Sequence, residues 1–286
     1  MDLCVIGSGI AGALIAHECA LRGMRVLVLE AGPRFDRALR ADQERRFLVM
    51  GDDPWPSDAA RDAFVNSSEF AYPLNATRVR AVGGSTLHWT GMAIRMRESD
   101  FRTQSRFGRG VDWPIDYDAL EPYYVRAERE LGVSGEPSAN GPRRSAPFPM
   151  PAFPDSFDDA FWRRAATRLD IRLERSAFAR NNLIAYDGRP ACATYASCHI
   201  CPIGAQYSAD WHIIKAERTG QCTVLADTAG RRIEMDAGSQ VRRVHATSRD
   251  GTQHEVLARA VVVAAHAVET ARLMLLSGVG NPSRLG

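Results

Sequence analysis

The 286-residue sequence lacks any run of 18 or more apolar residues, so no transmembrane helix is expected. It also lacks an excess of either charge: 36 Lys and Arg face 34 Asp and Glu, a formal net charge of +2. No general attraction to nucleic acids or anionic membranes follows from that balance. Lysine is nearly absent, and we attribute the preference for arginine to genome composition. A hydrophobic fraction of 45% excludes disorder and provides a core for one or two globular domains.

Cysteines are few and unevenly spread, which argues against a disulfide framework. Three of the six lie within ten residues, Cys192, Cys198 and Cys201. The other three, Cys4, Cys19 and Cys222, are predicted to be small buried hydrophobic side chains. The N-terminus has no basic segment and leads directly into a glycine-rich turn, so it is predicted to be a strand rather than a signal peptide.

The first thirty residues follow the order strand, glycine turn, helix, strand, acid. Leu3–Ile6 is predicted to be a strand buried on both faces, and Arg25–Leu29 a second one. Between them, apolar residues recur at helical spacing from Ala13 until Gly23. This order is typical of a dinucleotide-binding fold.

Each glycine of this turn, and the acid that follows the second strand, has a physical role. Gly7 permits the tight turn, Gly9 lets the backbone approach a pyrophosphate, and Gly12 allows close packing of helix on strand. The helix N-terminus then faces the phosphates. Glu30 is placed to accept hydrogen bonds from ribose hydroxyls and disfavours NADP. The motif alone does not distinguish FAD from NAD, and a chance glycine-rich turn stays an alternative.

A second glycine loop lies further along the chain. Gly83 and Gly84 are followed by the hydroxyl residues Ser85 and Thr86 and, after Leu87, by His88. Such a loop can approach a flat or anionic ligand closely, although alone it would be interpreted as a tight turn.

Together the two loops resemble the glucose–methanol–choline (GMC) family of FAD-dependent oxidoreductases. The segment 112–124 is similar to the bacterial sugar and sugar-acid dehydrogenase branch; its aromatic residues are expected to pack, ahead of a helix that ends near Leu131. The resemblance runs from Asp2 to Ser277. It implies an α/β fold: a three-layer Rossmann-like FAD-binding domain over 1–286 with a small antiparallel β-sheet, and no C-terminal substrate domain.

The C-terminal part supports the same resemblance. Residues 240–257 alternate around a turn at Asp250-Gly251 and predict a β-hairpin, in which His245 and His254 are expected to face solvent. A buried strand is predicted over 261–265 and a helix over 270–276. Most family members have glycine at the position of His266.

The resemblance suggests a specific role for His88. In the pyranose oxidase and fructose dehydrogenase branches, a histidine in this setting is bonded to the flavin 8α-methyl group. For His88, covalent attachment, non-covalent flavin contact and plain packing stay open, and Trp89 is expected to belong to the core.

The cysteine trio Cys192, Cys198 and Cys201, with Pro202 next, is typical of an iron–sulfur site, and three thiolates suit a three-iron (3Fe-4S) cluster. The dehydrogenase branch has such a cluster in an inserted loop, here about 188–206. A zinc site completed by His199 is chemically sound, and free or disulfide-paired thiols are the third alternative.

The resemblance implies oxidation of a CH–OH group on a sugar, polyol or sugar acid. Electrons would pass from flavin through the cluster to an external acceptor such as a cytochrome c subunit, with a small chaperone-like subunit as second partner.

No catalytic base is assigned, because none of the seven histidines matches the family position. The chain is therefore expected to be the FAD-binding half of a dehydrogenase and to be inactive by itself. The alternatives are a non-catalytic FAD-binding remnant, one part of a split enzyme, or an NAD-dependent dehydrogenase or flavin reductase. The resemblance implies that the protein is located at the periplasmic face of the inner membrane. Without the resemblance, a cytoplasmic location is expected.

Overall fold

The computed structural model describes residues 1–67, 69–138, 140–193, 198, 200–236, 238 and 240–284. The chain divides into two compact units. The first comprises 1–89 and 208–286, and the second comprises 90–207. Across these described ranges, no helix is both long and apolar enough to cross a membrane.

A four-stranded parallel sheet forms the centre of the first unit. Its strand order is β5 (Cys222–Leu225), β2 (Val26–Leu29), β1 (Leu3–Ile6) and β9 (Ala260–Val263). All residues of β1 and β2 are buried, as expected for central strands covered on both faces. Both strands predicted near the N-terminus are thus confirmed.

Helices cover one face of this sheet. The helix α1 (Ile10–Leu21) packs against β2 and against α7 (Asp210–Arg218), which also contacts β5. The buried face of α1 is built from small residues such as Ala13, Ala16 and Ala20, which allows close packing on the sheet.

A three-stranded antiparallel sheet covers the other face. It consists of β6 (Thr228–Met235), β7 (Val241–Ser248) and β8 (Gln253–Val256), in that order. One hydrophobic cluster joins the two sheets, and its buried members are Cys4, Ile6, Leu27, Leu29, Ile233, Val244, Ala246, Val256 and Leu273. The predicted three-layer fold with a small antiparallel sheet is confirmed.

The predicted hairpin is β7 and β8. Its two histidines are half-buried and hydrogen bonded: His245 lies 3.0 Å from Glu234 Oε2, and His254 lies 2.7 Å from Ser248 Oγ.

The last helix, α8 (Ala267–Ser277), begins three residues before the predicted start, because His266 acts as its N-cap. Strand β9 correspondingly ends at Val263 rather than residue 265. One cysteine prediction is wrong. Cys4 and Cys222 are buried, but Cys19 is only half-buried, because it lies off the face of α1 that contacts the sheet.

The rest of the first unit consists of shorter elements: α2 (Arg40–Met50), α3 (Leu74–Thr77) and 3₁₀ turns at Arg37–Leu39, Gly84–Leu87 and Pro282–Arg284. The second unit contains α4 (Thr103–Phe107), α5 (Tyr117–Leu131), α6 (Phe157–Arg168), a 3₁₀ turn at Glu98–Phe101 and the short parallel strands β3 (Ser134–Gly135) and β4 (Met150–Pro151). Helix α5 ends at the predicted residue, followed by Gly132 with φ of +65°.

Aromatic packing in the second unit agrees with the structural role predicted for 112–124. Tyr117 is buried and stacks on Tyr124 with ring centroids 6.0 Å apart. Trp113 lies edge-on to the buried Phe101 at 5.7 Å.

Candidate functional site: a nucleotide cavity between two glycine loops

The first glycine loop leaves space for a ligand at one position only. A Cβ on Gly7 would lie 2.4 Å from the carbonyl oxygen of Ala264, and a Cβ on Gly12 would lie 2.0 Å from that of Gly7. A Cβ on Gly9 would meet nothing within 4 Å. Gly7 and Gly12 are therefore required by packing, whereas Gly9 keeps a free space open beside the backbone.

That free space lies at the N-terminus of α1. Gly9 is the N-cap residue, has extended backbone angles and has no side chain to cap the helix. The first-turn N–H groups and the positive end of the helix dipole are thus directed to whatever occupies the space, an arrangement suited to a pyrophosphate.

Glu30 follows β2 and lies beside the same space. The side chain is buried, and Oε2 accepts hydrogen bonds from Ser8 N at 3.0 Å and Ser8 Oγ at 2.6 Å, while Oε1 accepts one from Gly32 N at 3.0 Å. Burial raises the pKa of the Glu30 carboxyl, and these hydrogen bonds oppose the rise. Since a carboxylate oxygen has two acceptor sites, Oε1 can still accept a hydroxyl from a ribose.

The second glycine loop contacts the first directly. Gly83 and Gly84 have φ of +105° and +57°, and a Cβ on Gly84 would lie 3.1 Å from Gly9 Cα. The N–H of Gly83 donates to Ser8 Oγ at 3.2 Å. The hydroxyl of Ser8 therefore connects the two loops to Glu30.

Thr86 fixes the far side of this loop. Its hydroxyl donates to the carbonyl oxygen of Gly83 at 2.6 Å and accepts from the N–H of Ala209 at 2.8 Å. Just beyond, Asp210 at the start of α7 is held by Arg40 at 2.7 Å and Arg37 at 2.8 Å. The loop geometry is thus set by a chain of hydrogen bonds and ion pairs inside the first unit.

A cavity of about 430 Å³ lies between the two loops, a size in the range of small-molecule sites. Five of the predicted residues line it: Gly7, Gly9, Glu30, Gly84 and Ser85. Gly12, Gly83 and His88 do not line it; the first two support its walls, and His88 is a half-buried residue at the end of the 3₁₀ turn.

Sequence reasoning missed an arginine-rich wall of this cavity. Glu269 at the start of α8 accepts from Arg78 at 3.1 Å, from Arg272 at 2.7 Å and, through a very short contact, from Arg80. All four residues line the cavity. Arg80 also pairs with Asp62 at 3.5 Å, so three guanidinium groups meet two carboxylates at this wall. Arg78 and Arg80 lie about 190 positions from Glu269 in sequence, so no local signal joins them to it, whereas Arg272 is its neighbour on α8.

His266 also lines the cavity and has strained backbone angles, φ +65° and ψ +154°. This region is populated almost only by glycine. Its Nδ1 accepts from Val268 N at 3.4 Å, a weak helix cap. Burial and the nearby Arg78 lower the pKa of the His266 imidazole.

The predicted metal residues all belong to the second unit. Cys192, Cys198 and Cys201 are all half-buried. The side chain of Arg180 donates to Cys198 Sγ at 3.0 Å, and the backbone N–H of Gln206 donates to Cys201 Sγ at 3.4 Å.

The arrangement of these sulfur atoms bears on the metal. Zn–S bonds of about 2.3 Å place the thiolates of one tetrahedral zinc roughly 3.8 Å apart. Among the residues that the structure describes, the three Sγ atoms do not all lie within 4.8 Å of one another. A cluster that binds each thiolate through a different iron tolerates wider spacing. His199, the fourth ligand of the zinc alternative, lies outside the described residues.

Comparison with known proteins identifies the family of this fold. The family described as FAD dependent oxidoreductase matches residues 2–39, which contain the first glycine loop and Glu30. The family described as GMC oxidoreductase matches residues 153–286.

Individual relatives match over almost the whole chain. The fructose dehydrogenase large subunit of Gluconobacter japonicus is 32% identical over 99% of this chain and 57% of its own length. The 6'''-hydroxyparomomycin C oxidase of Streptomyces lividus is 31% identical and the gluconate 2-dehydrogenase flavoprotein of Pantoea cypripedii 26% identical, each over 99% of this chain and 53% of the relative. The chain therefore spans about half the length of the curated relatives that it matches.

A solved structure gives the same fold. The crystal structure of pyridoxine 4-oxidase from Mesorbium loti superposes with a TM-score of 0.63 at 21% identity, over 99% of this chain and 53% of that one. The loops, the carboxylate and the cavity thus occur in a fold and a family that use FAD. The chain belongs to the GMC family of FAD-dependent oxidoreductases, in the branch that includes the fructose dehydrogenase large subunit and the gluconate 2-dehydrogenase flavoprotein.

Proposed function

We propose that this chain is the FAD-binding part of a dehydrogenase that oxidises a CH–OH group of a sugar, polyol or sugar acid. The observation that carries this proposal is the cavity between the two glycine loops, with Gly9 leaving room for a pyrophosphate and Glu30 available to a ribose. The named substrates of the fructose and gluconate dehydrogenases support the substrate class.

The residues of this chain bind and orient the cofactor. The N–H groups at the start of α1 hold the pyrophosphate, and the carboxylate of Glu30 accepts a ribose hydroxyl. The second glycine loop, held by Ser8 and Thr86, lies against the first. Bound FAD supplies the acceptor for the hydride that leaves the substrate carbon. We assign no residue of this chain as the base that takes the hydroxyl proton.

The direct test is spectroscopic and kinetic. The purified protein is expected to be yellow or to become so with added FAD. Turnover is measured on a panel of sugars, polyols and sugar acids with an artificial electron acceptor. A protein that stays colourless with FAD would disprove the cofactor role. Bound FAD without turnover on any substrate would favour the non-catalytic FAD-binding remnant or one part of a split enzyme.

We further propose that His88 carries the flavin covalently. What supports the proposal is its position, one residue beyond the 3₁₀ turn that contains Gly84, Ser85 and Thr86. Acid-precipitated protein is expected to retain its flavin, and His88→Ala to release it. His254→Ala on β8 is the matched control and should retain it. Complete release of flavin from the unaltered protein by acid would show that no covalent bond exists.

We also propose that Cys192, Cys198 and Cys201 hold a 3Fe-4S cluster that passes electrons from flavin to an external acceptor, such as a cytochrome subunit. Three half-buried cysteines within ten residues, two of them accepting hydrogen bonds at sulfur, support this donor set. The expected content is about three irons per chain, lost on Cys198→Ser. Zinc without iron would overturn the cluster, and acid-labile sulfide analysis distinguishes a cluster from adventitious iron.

The location of the protein is proposed from the family alone. Membership of this branch leads us to propose the periplasmic face of the inner membrane, reached with a partner subunit. Fractionation of cells that produce the protein tests it, and recovery in the cytoplasmic fraction alone would reject it.

A further inference from the structure

The immediate surroundings of Arg180 set it apart from the other arginines of the second unit. Its guanidinium carbon lies 4.1 Å from the ring centroid of Phe153 and 5.4 Å from that of Phe178, so two aromatic rings flank the cation. Aromatic faces attract a guanidinium group and displace the water that would otherwise solvate it.

No carboxylate of the described residues neutralises the charge of Arg180. In the part of the chain that the structure describes, its side chain has no acidic partner, and its buried Nε has no hydrogen-bond acceptor. Among the described residues, one hydrogen-bond acceptor meets the guanidinium, the sulfur of Cys198, 3.0 Å from Nη1. The positive charge is thus directed at a single thiol.

The backbone around Arg180 is fixed as well. It forms an antiparallel bridge with Gln206, and its carbonyl oxygen accepts the hydroxyl of Ser134 at 3.0 Å. The amide side chain of Gln206 donates to the carbonyl oxygen of Cys198 at 3.3 Å. Both the cation and the segment that carries the thiol are therefore held to one short piece of β structure.

From this geometry we infer that Arg180 is a positioning residue that holds Cys198 and raises the reduction potential of the centre that Cys198 ligates. The inference rests on the proposed iron–sulfur cluster. One-electron reduction adds one negative charge to such a centre without forming or breaking a bond to the protein. A cation and a hydrogen-bond donor at a ligating sulfur stabilise the more negative form, and poor solvation of the guanidinium strengthens the effect.

The test compares three variants of the whole chain in a redox titration with dithionite, followed by electron paramagnetic resonance. Arg180→Gln removes the charge, Arg180→Lys keeps it on a side chain without the planar fork, and Arg172→Gln removes an exposed arginine from the same unit. Iron and sulfide content is measured for each, so that potentials are compared only at equal loading.

We expect Arg180→Gln to keep its iron. Reduction of its cluster should be about tenfold less favourable, which corresponds to a reduction potential lower by about 59 mV for a one-electron couple. Arg180→Lys should recover part of this difference, and Arg172→Gln should match the unaltered protein. If Arg180 had only a structural role, the reduction potentials of Arg180→Gln and Arg180→Lys would not differ in this way.

Other outcomes count against the inference in distinguishable ways. A normal iron content with an unchanged potential in Arg180→Gln would overturn the role of Arg180 and leave the cluster standing. Absence of iron and sulfide from the unaltered protein would overturn the cluster and the inference together. Loss of iron from both Arg180 variants would show that Arg180 maintains the structure of the cysteine loop and does not set the reduction potential of the centre.

Discussion

The hydroxyl of Ser8 donates to Glu30 Oε2 at 2.6 Å across 22 residues of sequence. The same oxygen accepts the N–H of Gly83, so one side chain holds the carboxylate of Glu30 and the second glycine loop together. In a dinucleotide site this hydroxyl would orient two binding elements without contacting the cofactor itself.

The first prediction concerns this bridge. Ser8→Ala removes a hydrogen bond to a buried carboxylate and leaves the N–H of Gly83 without its acceptor. The loss of these hydrogen bonds should weaken the stabilisation of the two loops by about 1.5 kcal/mol. FAD affinity should fall roughly tenfold in fluorescence titrations of the apoprotein. The exposed Ser57→Ala is the control. Equal affinities for both variants would contradict the bridging role.

The second prediction separates two glycines of one motif. A Cβ at Gly9 meets no atom within 4 Å, whereas a Cβ at Gly12 would lie 2.0 Å from the carbonyl oxygen of Gly7. Gly9→Ala should therefore keep the melting temperature of the FAD-free protein and lose FAD affinity, because its methyl group enters the pyrophosphate space. Gly12→Ala should lower that melting temperature. If Gly9→Ala binds FAD normally, the pyrophosphate does not approach Gly9.

The third prediction concerns backbone strain at His266. Its φ of +65° and ψ of +154° belong to a region that costs residues other than glycine about 1–3 kcal/mol. His266→Gly should raise the free energy of unfolding by about 1 kcal/mol, after allowance for the greater backbone entropy of glycine in the unfolded chain. His266→Val should lower it. Urea denaturation of the FAD-free protein measures both, and a destabilised glycine variant would refute the strain.

The fourth prediction concerns acid stability of the second unit. Backbone and side-chain hydrogen bonds from Ser145, with the ion pair to Arg95, lower the pKa of Glu121 to about 2. In the unfolded chain the pKa of a glutamate is about 4.3. Because the folded pKa is depressed, the stabilisation is complete above about pH 4.3 and is lost as the pH falls through about 2.

Glu121→Gln should consequently be less stable than the unaltered protein at pH 6, and the gap should narrow as the pH falls from about 4 to 2. Chemical denaturation at several pH values measures this. The exposed Glu98→Gln is the matched control and should not change the pH profile. A constant difference at all these pH values would show that ionisation of Glu121 is not responsible.

Much of the first unit could be predicted from local pattern. The strand Leu3–Ile6, the helix after Gly9 and the acid at position 30 are close in sequence, and their chemistry is set by residue type: a glycine where the chain turns, apolar residues where a strand is buried. The hairpin around Asp250-Gly251 was predictable for the same reason.

Other features could not be predicted in this way. The start of α8 depends on the backbone angles of His266, for which sequence periodicity gives no signal. The exposure of Cys19 depends on which face of α1 meets the sheet, and the weak periodicity of a helix rich in alanine does not define that face.

The sequence by itself determined the two glycine loops, the carboxylate at position 30 and the cysteine trio as candidate sites, because each is a short pattern of residue types with a characteristic chemistry. Only the tertiary structure decided that Ser8 joins both loops, that Glu269 gathers three arginines at the cavity, and that Arg180 is directed at Cys198. These partners are brought together by strand pairing and packing over separations of up to about 190 residues, which no local pattern encodes.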